Sequence, residues 1–105
     1  MKRAAFTFKI CPDKIPEYKE FHKAVWPEMK AALTRNGWNN YTLFMKENGD
    51  IFGYVETPEG LEPANAGMQA EEINAKWQEV MAQFAPAGIK PDQSFIELEE
   101  YFHLD

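Results

Sequence analysis

Apolar and polar residues alternate from Ala4 to Ile10, with Ala4, Phe6, Phe8 and Ile10 on one side and Ala5, Thr7 and Lys9 on the other. A period of two predicts a first strand with one buried face. Pro12 and Asp13 then open a helix whose apolar stripe runs through Ile15, Tyr18, Phe21, His22, Val25, Met29, Ala32 and Leu33. Pro27 cannot donate to the carbonyl of Lys23, so this helix is expected to kink or restart at Trp26-Pro27-Glu28. Asn36-Gly37 ends it, because glycine takes the left-handed conformation at little cost. Asn40 to Lys46 and Asp50 to Thr57 read as an antiparallel pair of strands turned through Glu47-Asn48-Gly49. The mixture of Pro, Gly, Glu and Asn from Pro58 to Gly67 reads as a loop or a short irregular helical turn. Ile73, Trp77, Val80, Met81 and Phe84 mark a second amphipathic helix, stopped near Pro86 and Gly88. A loop from Pro86 to Asp92 follows. Ile96, Leu98, Phe102 and Leu104 then interleave with polar residues in a last strand, where Glu100 interrupts the alternation as at a bulge or an edge.

The order β-α-β-β-α-β is that of a ferredoxin-like α+β fold, with helices over one face of an antiparallel sheet. The other face needs a cover, and a second copy of so short a chain supplies one. A symmetric homodimer packed sheet against sheet is therefore expected. At 105 residues the chain forms a single domain over residues 1–105, since two independent cores would each need roughly 50 residues or more.

Composition narrows the function. Seventeen acidic against eleven basic residues give a net charge of −6, and no Lys/Arg run can track a phosphate backbone. That argues against nucleic acid and suits a neutral ligand. Cys11 is the one cysteine, so neither an intrachain disulfide nor a thiolate zinc cluster can form. It reads as a small core residue in a chain suited to the reducing cytoplasm. The N-terminal apolar stretch is broken by Thr7 and Lys9 and falls short of a signal or membrane segment.

Among groups able to do chemistry, His22 lies on the buried stripe one turn after Tyr18, so two polar heads share a face. The plain alternative makes both ordinary core residues, each tied to a backbone carbonyl. A histidine titrates near neutrality and can give and receive a proton at working pH. Tyr41, at the start of the second strand, reaches the same cavity if it faces the helices, and is otherwise core. Trp77 on the second stripe offers a flat surface and one N–H donor, or simple packing. Lys76 flanks that stripe and points either into the pocket or, as is usual for lysine, into solvent. Dinucleotide, Walker and serine-hydrolase motifs are absent. With only His22 and His103, a metal site would have to come almost wholly from carboxylates, so no metal is expected.

Tyr18-x-x-x-His22, Val25-Trp26-Pro27-Glu28-Met29, Asn40-Tyr41, Ile51-Phe52-Gly53-Tyr54-Val55-Glu56, Trp77 and Tyr101-Phe102-His103-Leu104 together resemble the L-rhamnose mutarotase family. The resemblance covers nearly the whole chain. It implies a dimeric ferredoxin-like α+β barrel acting on L-rhamnose, with His22 as proton donor and Tyr18, Tyr41 and Trp77 holding the sugar. Family members commonly carry a Trp-Trp pair in the second helix, and here Lys76 stands at the first of the two. The stretch Pro58 to Met68 also departs from the family's usual sequence.

The mechanism expected on this basis uses no cofactor. His22 serves as the main acid/base group, Tyr18, Tyr41 or a bound water relays the second proton, and Trp77 orients the ring. Two rivals share the fold class: a heme- or quinone-handling monooxygenase, and a dimeric small-ligand binding module without catalysis.

Overall fold

The opening alternation becomes β1 (Lys2–Lys9) in the computed structural model, which describes all 105 residues from Met1 to Asp105. β1 pairs antiparallel with β3 (Asp50–Thr57) on one side and β4 (Ile96–Leu98) on the other. β2 (Asn39–Met45) adds to the far edge of β3, giving the order β2-β3-β1-β4. That is the split β-α-β-β-α-β arrangement, an α+β sheet with its helices on one face. The inner face carries Phe6, Phe8, Ile51 and Val55, all buried among the helices. Phe6 faces Gly53 in the register, and its ring fills the space a side chain at Gly53 would need: a Cβ there would meet the ring at 2.4 Å.

The long first stripe is two helices. After a 3₁₀ turn at Pro12–Lys14, α1 spans Ile15–Lys23 and α2 restarts at Pro27 and runs to Arg35. Trp26 is extended (φ −56°, ψ 134°), as the residue before a proline prefers, and Pro27 takes the first helical position, where no N–H is missed. Gly37 ends the unit at φ +80°.

Three expectations need correction. The stretch from Pro58 is not a loop but leads into α3 (Leu61–Gln69), which buries Leu61, Ala64 and Met68. Pro63 stands in its first turn, where its absent N–H has no partner to lose. The last strand is only three residues long, and Glu99 to Asp105 run on exposed without strand pairing. β1 starts at Lys2, so the register that sets Ala5 against Leu98 leaves none of that strand opposite residue 102 and beyond. Cys11 is half-buried, not core; its backbone N–H reaches the Phe84 carbonyl at 2.6 Å.

α4 (Glu72–Met81) follows the second stripe and continues as a 3₁₀ turn through Phe84. The segment to β4 holds two more such turns, Pro86–Gly88 and Pro91–Gln93, and the second buries Pro91 and Asp92. No helix is long and apolar enough to cross a membrane.

The outer face of the sheet stays open. Phe44, Phe52, Thr7 and Ile96 line up across the four strands in one row, and Thr42, Tyr54, Ala5 and Leu98 in the next. Phe44 is 62 % exposed and Ile96 65 %.

Candidate active site

A cavity of about 470 Å³ opens between α2, α3, α4 and the inner face of the sheet. Its volume falls within the range of small-molecule sites, about 300–1,000 Å³. Met29, Leu33, Met68 and Phe95 give it an apolar lining, interrupted by His22, Tyr41, Trp77 and a polar group of Asn74, Gln78 and Asp92.

His22 stands in the last turn of α1, where the chain turns away before Pro27 and leaves the imidazole half-buried at the cavity wall. Its Nδ1 lies 3.0 Å from the Tyr18 carbonyl oxygen. A carbonyl only accepts, so Nδ1 carries the proton and Nε2 of the neutral ring is the free basic atom. Burial lowers the imidazole's pKa from its ordinary 6.5, while the bond to the Tyr18 carbonyl works the other way. The ring is therefore neutral at pH 7.

Tyr18 stacks on this imidazole with ring centres 4.3 Å apart and meets Phe84 edge-on from behind. It is buried and does not line the cavity. Tyr41 does line it, half-buried and close to Phe6 and Trp38. Burial raises both phenols well above their ordinary range, and at Tyr41 the nearby Tyr18 adds to the effect, so both stay protonated. Trp77 is a buried wall of the cavity; its ring meets His22 at 5.5 Å and Trp26 at 5.0 Å, both edge-to-face. The helix break thus has a second effect: it turns Trp26 back against Trp77.

Lys76 is not part of this site. It is exposed on the outer side of α4, beside Glu72, Ile73 and Arg35. Residues three and four apart share a helix face, so Asn74, Trp77, Gln78 and Met81 turn inward together, and Lys76, about 100° from Trp77 on the side away from Gln78, turns outward. The neighbour of Trp77 in the pocket is Gln78. Sequence reasoning missed Asn74, Gln78 and Asp92. Spacing held a clue to the first two, since Asn74, Trp77 and Gln78 stand at i, i+3 and i+4 on one face. Asp92, in a short turn directly after Pro91, gave none.

The cavity thus combines a basic nitrogen, a protonated phenol, an indole wall and a polar cluster, enough to hold a small polyol and move protons on it. Comparison with known proteins points the same way. The family model described as L-rhamnose mutarotase matches residues 3–104. Proteins called L-rhamnose mutarotase from Oceanobacillus iheyensis and Bacteroides thetaiotaomicron are 35% identical over 106 residues and 38% identical over 108 residues, each comparison covering both chains in full. The crystal structure of L-rhamnose mutarotase FA22100 from Formosa agariphila superposes with a TM-score of 0.80 at 30% identity, again over the whole of both chains.

Proposed function

The chain belongs to the L-rhamnose mutarotase family, and from that premise we propose that it interconverts the α and β anomers of L-rhamnose, with His22 and Tyr41 moving the two protons. Opening the pyranose requires that the anomeric hydroxyl lose a proton while the ring oxygen gains one. His22 Nε2 takes the first, the C1–O5 bond breaks as the C1 carbonyl forms, and the Tyr41 hydroxyl protonates the departing ring oxygen, a stronger base than a phenolate. After rotation about C1–C2, closure on the other face returns both protons. His22 is thus base in opening and acid in closing. Tyr18 is a positioning residue that holds the imidazole through its carbonyl and its ring, and Trp77 supplies a flat wall for the sugar's C–H face, with its indole N–H bonded to no protein group.

The observation that carries this reading is the free Nε2 of His22, fixed by the Nδ1 bond, on the wall of a cavity large enough for a pyranose. The family disfavours the monooxygenase alternative. NMR exchange spectroscopy on L-rhamnose separates catalysis from mere binding: the protein is expected to accelerate anomer exchange above the spontaneous rate. Because the base must be neutral and burial lowers its pKa, kcat/KM is expected to rise with pH through a midpoint below 6.5 and stay level up to pH 10, the raised phenols adding no alkaline limb. A midpoint above 6.5 contradicts the assignment.

The open sheet face supports a homodimer packed through Phe44, Phe52, Ile96 and Leu98, since so large an exposed apolar patch marks an association surface. Sedimentation equilibrium is expected to give twice the 12.2 kDa chain mass, and Phe52→Lys to shift the protein toward the single chain. A wild type that runs at the single-chain mass refutes the dimer. The match over residues 3–104 supports reading the chain as one domain, and its single cysteine supports a cytoplasmic setting.

A further inference from the structure

Asn74, Gln78 and Asp92 form a closed ring of hydrogen bonds on the cavity wall, and the proton transfers described above use none of them. The Asp92 backbone N–H donates to Gln78 Oε1 at 3.2 Å, Gln78 Nε2 donates to Asn74 Oδ1 at 3.2 Å, and Asn74 Nδ2 donates to Asp92 Oδ2 at 3.0 Å. A backbone N–H only donates and a carboxylate only accepts, so both amide orientations are fixed by the ring itself. Each amide nitrogen has two hydrogens and spends one here. What remains unused is one N–H on Gln78, one N–H on Asn74 and Oδ1 of Asp92, which has no protein partner although Asp92 is only 7 % exposed.

The Asp92 main chain is held as well: its carbonyl accepts from Asn65 Nδ2 at 3.1 Å and from Gln69 Nε2 at 3.3 Å, tying the short turn to α3. A buried carboxylate oxygen without a donor is unfavourable, and a ligand hydroxyl would complete it. The terminal torsion of an aspartate is broad, so a small turn brings that oxygen onto a bound group. Two donors and one acceptor in a row match neighbouring hydroxyls of a sugar, each of which donates and accepts.

We propose that this ring is the hydroxyl-reading subsite of the pocket: Asp92 Oδ1 accepts from one sugar hydroxyl, while Gln78 and Asn74 donate to its neighbour. The ligand class, a free monosaccharide, rests on the mutarotase reading. The subsite recognises a particular hydroxyl arrangement and leaves the proton transfers at His22 unchanged.

The test follows anomer exchange and saturation-transfer binding for L-rhamnose and its 2-, 3- and 4-deoxy analogues, with the wild type, Asp92→Asn and Gln78→Leu. The wild type is expected to disfavour the two deoxy analogues that lack these neighbouring hydroxyls, the one facing Asp92 by about 10- to 100-fold, the range of one charge-assisted hydrogen bond. Both variants should raise KM for L-rhamnose by about tenfold with kcat changed less than about threefold; Asp92→Asn should no longer distinguish the first of these analogues, and Gln78→Leu should lose discrimination against the second. Asp92→Asn removes a buried charge and keeps the shape, so its melting temperature should not fall. Equal weakening toward every sugar, or unchanged KM in both variants, overturns the proposal. So does a loss of kcat at constant KM, which would make Asp92 a proton-transfer group. A wild type that binds L-rhamnose without exchanging its anomers defeats the mutarotase reading instead, and the deoxy binding pattern still decides the subsite. Failure of the wild type to bind any of these sugars defeats both.

Discussion

Replacing His22 by alanine lowers the catalysed rate of anomer exchange about 10²- to 10⁴-fold, the contribution of a well-placed proton-transfer group. The loss comes from chemistry rather than unfolding. His22 is half-buried, its one hydrogen bond is to a backbone carbonyl of its own helix, and alanine is the better helix former. The circular dichroism spectrum and the binding of L-rhamnose therefore stay close to wild type while kcat falls. A variant that exchanges anomers at the wild-type rate removes His22 from the mechanism and leaves Tyr41 without its partner base.

Replacing Phe6 by alanine costs about 3–5 kcal/mol of stability, the usual range for a buried aromatic. Phe6 is fully buried, lies 4.2 Å from Phe95, packs near Phe8, Trp38 and Tyr41, and covers Gly53. Against a total of about 5–15 kcal/mol, that leaves a marginal protein. The contact with Gly53 sharpens the prediction. Gly53→Ala forces its new methyl into the Phe6 ring and costs about 1–3 kcal/mol by overpacking, yet in a Phe6→Ala background it meets a void. The two losses in urea denaturation should thus sum to more than the loss of the double variant. Simple additivity would mean that the ring does not rest on residue 53.

Much of this arrangement is legible in the residues. The period of two in β1, the turn at Asn48-Gly49 and the break before Pro27 all follow from local geometry, and the structure bears them out. Helical spacing brings Tyr18 and His22 together, because residues four apart share a face whatever the rest of the chain does. Other features depend on tertiary context. α3 is hidden by Pro63 and Gly67, which read as breakers; Pro63 is harmless in a first turn, and Gly67 admits the side chain of Asn36, whose Oδ1 lies 2.4 Å from where a Cβ would stand. Lys76 and Trp77 are adjacent in sequence but lie on different sides of α4, so a pairing read along the chain puts the wrong residue beside the indole. Asp92 enters the cavity only because its turn is tied to Asn65, Gln69, Asn74 and Gln78, contacts that no local pattern encodes. The final strand stops at Leu98 although the register still sets Ala4, Arg3 and Lys2 opposite Glu99, Glu100 and Tyr101, and only beyond Tyr101 does β1 itself run out.

The most direct test of the central claim is an NMR titration of the His22 imidazole in the free protein, set against the pH profile of kcat/KM for L-rhamnose. The two midpoints are expected to coincide below 6.5, with the Nδ1–H tautomer dominant above them. If the ring titrates a full unit or more away from the kinetic midpoint, or carries its proton on Nε2 when neutral, another group moves the proton.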